Sequence, residues 1–179
     1  MKMNRAVLTA VVILLLAAAG WWVFRRGNEE RIDLVALYDQ AQKRGGSFEL
    51  IDATLAGDTK KAIAGPANSR VIFHVRVPDD GWLKVSLGLK AEAWTIDGNG
   101  VLFYAGVSDG RSFEKLFEQT LNPFKNPSER RWIPVTVDLS AYAGEEMDII
   151  LNTVASGPGV APDERGDMPL WGAPEVVRR

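Results

Sequence analysis

The sequence predicts a mainly β protein: an antiparallel β-sandwich, preceded by one transmembrane helix and a short amphipathic helix. Three observations carry this. Residues 6–24, AVLTAVVILLLAAAGWWVF, run without a charge and are almost wholly apolar. Residues 28–44 repeat apolar side chains at helical spacing. From Ser47 onward the spacing changes to period two, in short segments separated by Gly, Pro and Asp turns.

The apolar run comes first. At 1.5 Å per residue it reaches roughly 28 Å, close to the hydrocarbon thickness of a bilayer. Trp21 and Trp22 stand near its end, where amphipathic rings favour the headgroup level, and Arg25 and Arg26 close it. A cleaved signal peptide is the rival reading, with Ala17-Ala18-Ala19 as the cleavage site. The apolar run continues past those alanines through Phe24, which favours a retained anchor. Positive charge does not decide orientation, since Lys2 and Arg5 precede the run and Arg25, Arg26 and Arg31 follow it. A short leader suits a signal-anchor. The expected organisation is therefore a cytoplasmic leader 1–5, a transmembrane helix 6–24, a juxtamembrane amphipathic helix 25–46 and an extracytoplasmic β-sandwich 47–179. The expected location is the inner (cytoplasmic) membrane, with the C-terminal domain in the periplasm or its equivalent.

In the juxtamembrane segment, Asn28 is a fair N-cap, Glu29 and Glu30 suit the positive end of a helix, and Gly45-Gly46 end it. Ile32, Leu34, Val35, Leu37, Tyr38 and Ala41 form its apolar stripe. That stripe packs either on its own domain or against the membrane or a partner.

The strands come next. Phe48, Leu50 and Ala53 alternate ahead of a Gly57-Asp58 turn. Val71, Phe73, Val75 and Val77 alternate with Ile72, His74 and Arg76, and Pro78 ends that strand. Trp82–Leu89, Val101–Ser108, Ile133–Leu139 and Met147–Val154 are further strands, with turns at 97–100 and 108–110. Residues 111–121 are expected to form one or two helical turns. Residues 155–169, rich in Gly, Pro and acids, are expected to form a long loop.

Composition excludes several functions. The net charge of −2 leaves no nucleic-acid footprint. No cysteine means no disulfide, thiol chemistry or Cys-ligated metal. The single histidine, His74, removes His-cluster metal sites and argues against a Ser-His-Asp arrangement; its strand faces it away from the apolar side chains. The zincin and P-loop motifs are absent. Asp163, Glu164 and Asp167 make an oxygen-rich loop without EF-hand spacing, read as a solvated loop. The domain is therefore read as non-enzymatic, with no cofactor.

Three segments carry a family resemblance: GNGVLFYAGVSDG (98–110), RRWIPVTVDLSAYAGEEMDIILNT (130–153) and LWGAPEV (170–176). Together they resemble the jelly-roll, galactose-binding-like domains of bacterial exported and membrane proteins, carbohydrate-binding modules among them. The resemblance spans roughly 48–177. It implies a jelly-roll sandwich and, by itself, no particular ligand.

The favoured functional reading is a non-catalytic accessory or structural subunit of a larger membrane assembly, whether respiratory, photosynthetic, transport or envelope-building. Its partners would be integral membrane protein subunits and membrane lipid. Small residues let helices approach closely in lipid, so Ala6, Ala10 and Ala17, with Trp21, Trp22, Val35 and Tyr38, are the candidate partner-binding residues. The alternative is a membrane-anchored glycan-binding module. Of Trp82, Trp94, Trp132 and Trp171, Trp94 is its best stacking platform, with Asp97 and Asn99 as polar neighbours.

Overall fold

The structure, a computed structural model, describes residues 31–157 and 159–178. The apolar run, with Ala6, Ala10, Ala17, Trp21 and Trp22, lies outside the described residues. Among those described, no helix is long and apolar enough to cross a membrane.

The described residues form eleven strands: β1 Arg31–Asp33, β2 Gln42–Arg44, β3 Glu49–Leu55, β4 Asp58–Ala64, β5 Ser69–Arg76, β6 Gly81–Leu89, β7 Val101–Ser108, β8 Phe113–Leu121, β9 Ile133–Asp138, β10 Glu146–Val154 and β11 Pro169–Arg178. They make two antiparallel sheets. One runs β3-β4-β11-β6-β9, with β1 added alongside β11; the other runs β2-β5-β10-β7-β8. Period-two alternation puts one side of each strand between the sheets. Val71, Phe73 and Val75 of β5 meet Leu83, Val85 and Leu87 of β6 in a single buried cluster with Phe103, Ile149, Leu151 and Trp171. At its centre Phe103 and Trp171 stand edge-to-face, ring centroids 5.1 Å apart.

The expected helix over 28–44 is corrected by the structure. Its described part is β1, a chain of turns and β2. The cause is tertiary. β4 pairs only with Leu170–Gly172 of β11, and the backbone shifts register between Gly172 and Glu175. This leaves Glu175–Val177 with an open edge, which β1 fills, reinforced by an Arg31–Glu175 ion pair of 2.5 Å. β2 covers the edge of β5 in the same way. The helical spacing survives only as local turns, such as Tyr38 N–H to Val35 O and Ala41 N–H to Leu37 O. Leu34 is fully buried, and Leu37, Tyr38 and Ala41 pack on the core. β1 and β2, which precede residue 47, are thus part of the two sheets.

A second correction concerns 111–121, expected to turn helically. Residues 113–121 are β8, because β7 offers them a full edge from Val101↔Leu121 to Ser108↔Phe113. The Gly57-Asp58 turn leads straight into β4, which pairs along the whole of β3.

A smaller apolar cluster covers the outer face of the six-stranded sheet: Ala53, Leu55, Ala62, Ala64, Leu170 and Trp132. Trp132 lies flat over two glycines. A Cβ on Gly172 would come within 2.7 Å of its ring, and one on Gly88 within 2.4 Å of Leu55. The indole N–H donates to Asp58 O at 2.9 Å. After β9, Asp138 Oδ1 accepts from the Ser140 N–H at 2.8 Å and Leu139 is buried beneath, closing the turn into β10.

Candidate functional site

The outer face of the five-stranded sheet has no such cover, and the register places a polar row across it. Arg44 of β2 stands opposite Arg70 of β5, Arg70 opposite Asn152 of β10, Asn152 opposite Tyr104 of β7, and Tyr104 opposite Glu118 of β8. Side chains directly opposite on neighbouring strands lie within about 5 Å at Cβ, so the row is contiguous. It crosses a cavity of about 300 Å³ lined by Arg44, Arg70, Tyr104, Asn152 and Val154, with Asn68 at the rim.

Local chemistry explains the shape. Gly45 follows β2 at φ +92, and a Cβ there would come within 2.4 Å of Asn68 O, so only glycine lets this loop press against the start of β5. Beneath the cavity, Ser69 Oγ and Thr153 Oγ1 both donate to Pro66 O, at 2.6 and 3.1 Å. Asn68 Nδ2 donates to Glu164 Oε1 at 3.0 Å, while its Oδ1 accepts from the Ala155 N–H. These groups are all engaged.

Asn152 is not. It is only 6% exposed, yet its amide makes no hydrogen bond to another described residue. Its amide atoms are not among the side-chain atoms sealed from solvent without a partner, so they are open to the cavity and can both donate to and accept from a group placed there. Beside it Tyr104 packs edge-to-face on Phe113, centroids 6.2 Å apart. Phe113 is 46% exposed and lies against Gly106, where a Cβ would come within 2.8 Å of its ring. An aromatic pair thus borders a slot whose floor offers one amide donor–acceptor and whose far side offers two guanidinium groups.

The residues singled out in the sequence sit elsewhere. Trp94 belongs to a short 3-10 turn at Ala91–Thr95; it is half-buried against the outer cluster of the six-stranded sheet, and its indole N–H donates to Leu89 O at 3.1 Å. Asp97 is exposed on the following loop. Asn99 Nδ2 donates to Ala161 O at 2.8 Å, while its Oδ1 is buried without a partner. Val35 and Tyr38 lie half-buried in the turns between β1 and β2, and the Lys43 ammonium stands 3.9 Å from the centre of the Tyr38 ring. Sequence reading missed Arg44, Arg70, Tyr104 and Asn152. Alternation marks Arg70 as outward-facing, but only strand order and register bring the four together.

His74 is exposed, with Nδ1 3.0 Å from Asp148 Oδ1 and Nε2 3.7 Å from Glu146. At the acidic loop, both oxygens of Asp167 are buried without a hydrogen bond. Burial first, then the nearby Asp163 and Glu164 charges, push its pKa up to about 7. Asp163 itself is held low by hydrogen bonds from Arg165. Among the described residues, no group of three or more His, Cys, Asp or Glu side chains converges to hold a metal ion.

No family model matches the chain. An uncharacterized protein of Archaeoglobus fulgidus is 34% identical over 116 residues, 64% of this chain and 28% of that protein. The chain thus spans under a third of the curated relative it matches. Among solved structures, the CBM51 module of Clostridium perfringens GH95, in complex with methyl-galactose, superposes with a TM-score of 0.56 at 16% identity, covering 82% of this chain and 99% of that one. The CBM51-2 and INT domains of Clostridium perfringens ZmpB superpose at 0.56 with 15% identity, over 83% of this chain and 31% of that one. Their complex with GlcNAc gives 0.54 at 12% identity, over the same shares. At these identities the likeness is one of fold: the sandwich is that of carbohydrate-binding modules.

Proposed function

We propose that this chain is a non-catalytic glycan-binding module held at a membrane by residues 6–24, with the sandwich on the extracytoplasmic side of the cytoplasmic membrane. The observation that carries the binding reading is the unpartnered Asn152 amide, only 6% exposed, facing a slot beside Tyr104. A pyranose presents an apolar C–H face and a rim of hydroxyls. Tyr104 suits the face, and an amide, which both donates and accepts, suits two adjacent hydroxyls. Strands from a packed sheet hold these groups, so little order has to be created on binding. Support also comes from the fold, which the neighbours above use to hold methyl-galactose and GlcNAc.

The subunit reading stands second. It rests on Ala6, Ala10, Ala17, Trp21 and Trp22, outside the described residues, and on Val35 and Tyr38, which are half-buried within the sandwich itself.

Titration calorimetry of the full chain in detergent against oligosaccharide panels tests the proposal. Tyr104→Ala and Asn152→Ala are each expected to weaken binding at least tenfold with the fold preserved. Loss with Trp94→Ala alone would move the site to the Asp97–Asn99 loop, and no binding at millimolar sugar would refute the glycan reading. For the anchor, the chain is expected to resist carbonate extraction, with the sandwich open to protease from the outer side; release by carbonate would refute it.

A further inference from the structure

From the two arginines of the slot we infer that the ligand is an anionic saccharide, carrying a carboxylate or a sulfate ester; this rests on the glycan-binding reading. Arg44 and Arg70 are direct cross-strand partners on the edge pair β2–β5. Like charges placed opposite one another on a sheet repel and weaken the pairing. Several other cations of the described surface are matched by carboxylates: Arg31 with Glu175, Lys61 with Asp52, Lys90 with Glu49, Arg165 with Asp163. Among the described residues, neither Arg44 nor Arg70 pairs with a carboxylate, and the side chain that Arg44 does reach is the neutral Gln42, at 3.2 Å. The acids of the neighbourhood are occupied. Glu164 at the rim accepts from Asn68, and Glu118 at the far end of the row pairs with Lys115.

The chain as a whole carries a net charge of −2, so this doublet is a local feature and no part of a general basic surface. Arg44 and Arg70 line the same cavity as the unpartnered Asn152. Guanidinium groups present N–H donors in a planar fork that matches a carboxylate or sulfate edge. A single anion held between them would relieve the repulsion and complete the row. Tyr104 and Asn152 would hold the sugar ring, and the arginines its charged substituent.

The test uses the full chain in detergent and two matched pairs of probes: oligogalacturonate against its methyl ester, and a sulfated galactan oligosaccharide against its desulfated form. Within at least one pair, the charged form is expected to bind at least tenfold tighter than the neutral form. Raising salt from low to about 0.5 M is expected to narrow the gap, since exposed charges are screened. Preference for the carboxylated member names a uronic acid, and preference for the sulfated member names a sulfate ester. The variant R44Q/R70Q is expected to lose that preference and to bind the charged and neutral members of each pair alike. Its melting temperature is expected to stay level or rise, because the repelling pair is gone. Equal affinity for charged and neutral members of both pairs would overturn the anionic assignment and leave the glycan reading standing. Binding of none of the four probes would overturn both.

Discussion

Replacing Asn152 with leucine should stabilise the protein while abolishing its binding. The residue is 6% exposed, and its amide is unpaired among the described residues. An unsatisfied buried polar group costs about 1–3 kcal/mol. The Asn152 amide borders an open cavity, and water reaching it offsets part of this, so the lower end applies: about 1 kcal/mol gained on substitution. For a domain of this size that corresponds to a rise in melting temperature of roughly 2–4 °C. The adjacent Thr153 provides the contrast. It is also buried, but its hydroxyl donates to Pro66 O, so Thr153→Val should lose about 0.5–1.5 kcal/mol. Two neighbouring buried polar residues would then respond with opposite signs, because one is engaged by the fold and the other is held for a ligand. Chemical denaturation of the full chain, with calorimetric binding on the same samples, reads both quantities. An Asn152→Leu variant that loses about 1 kcal/mol or more, the reverse of the gain expected from removing an unpaired amide, or that still binds the wild-type glycan, would refute the reasoning.

Trp132→Ala is expected to cost about 3–5 kcal/mol, since the ring covers Gly88 and Gly172 and leaves Leu55 and Leu170 open to water when removed; a loss under about 1 kcal/mol by denaturant titration would show that the outer cluster collapses around the gap. Asp167 binds its proton more tightly folded, near 7, than in an unfolded chain, near 3.8. Its contribution to stability therefore falls as pH rises from about 4 to 7 and stays low above that. Asp167→Asn should then raise the melting temperature by a few degrees at a pH of about 8 and leave it unchanged at about 3.5, below both values; an equal shift at both would rule out titration of this carboxyl as the cause. Deleting residues 31–46 bares the edges of β5 and of Glu175–Val177 in β11, so the shortened chain is expected to aggregate and to melt lower than the full chain. Unchanged light scattering and melting would mean that β1 and β2 are dispensable covers.

How much could be read from the residues differs from one element to another. In β5 alternation alone identifies the strand, its inward face and the exposed position of His74, because one side is apolar and the other, apart from Ile72, is polar. The turn from Asp138 to Gly144 is equally local, and it forms as its residues require. Residues 31–44 show where local reading ends. Their apolar spacing suits a helix, and isolated from the rest they would have no reason to be anything else. The open edge left by the bulge in β11 decides the matter, since unpaired backbone groups at a sheet edge reward a strand. Residues 113–121 obey the same rule against β7.

The binding row is the extreme case. Arg44, Arg70, Tyr104 and Asn152 are spread over more than a hundred positions and belong to no motif. Alternation places Arg70 on an outward face, whereas Arg44 lies in a segment of helical spacing and Tyr104 and Asn152 in largely apolar runs. That they stand side by side depends on strand order β2-β5-β10-β7 and on a register in which a slip of one residue would turn each of them inward. Sequence by itself determined the β period, the turns and the apolar run. Tertiary structure decided the edges and the slot, because those depend on which backbone groups are left unpaired once the two sheets have packed.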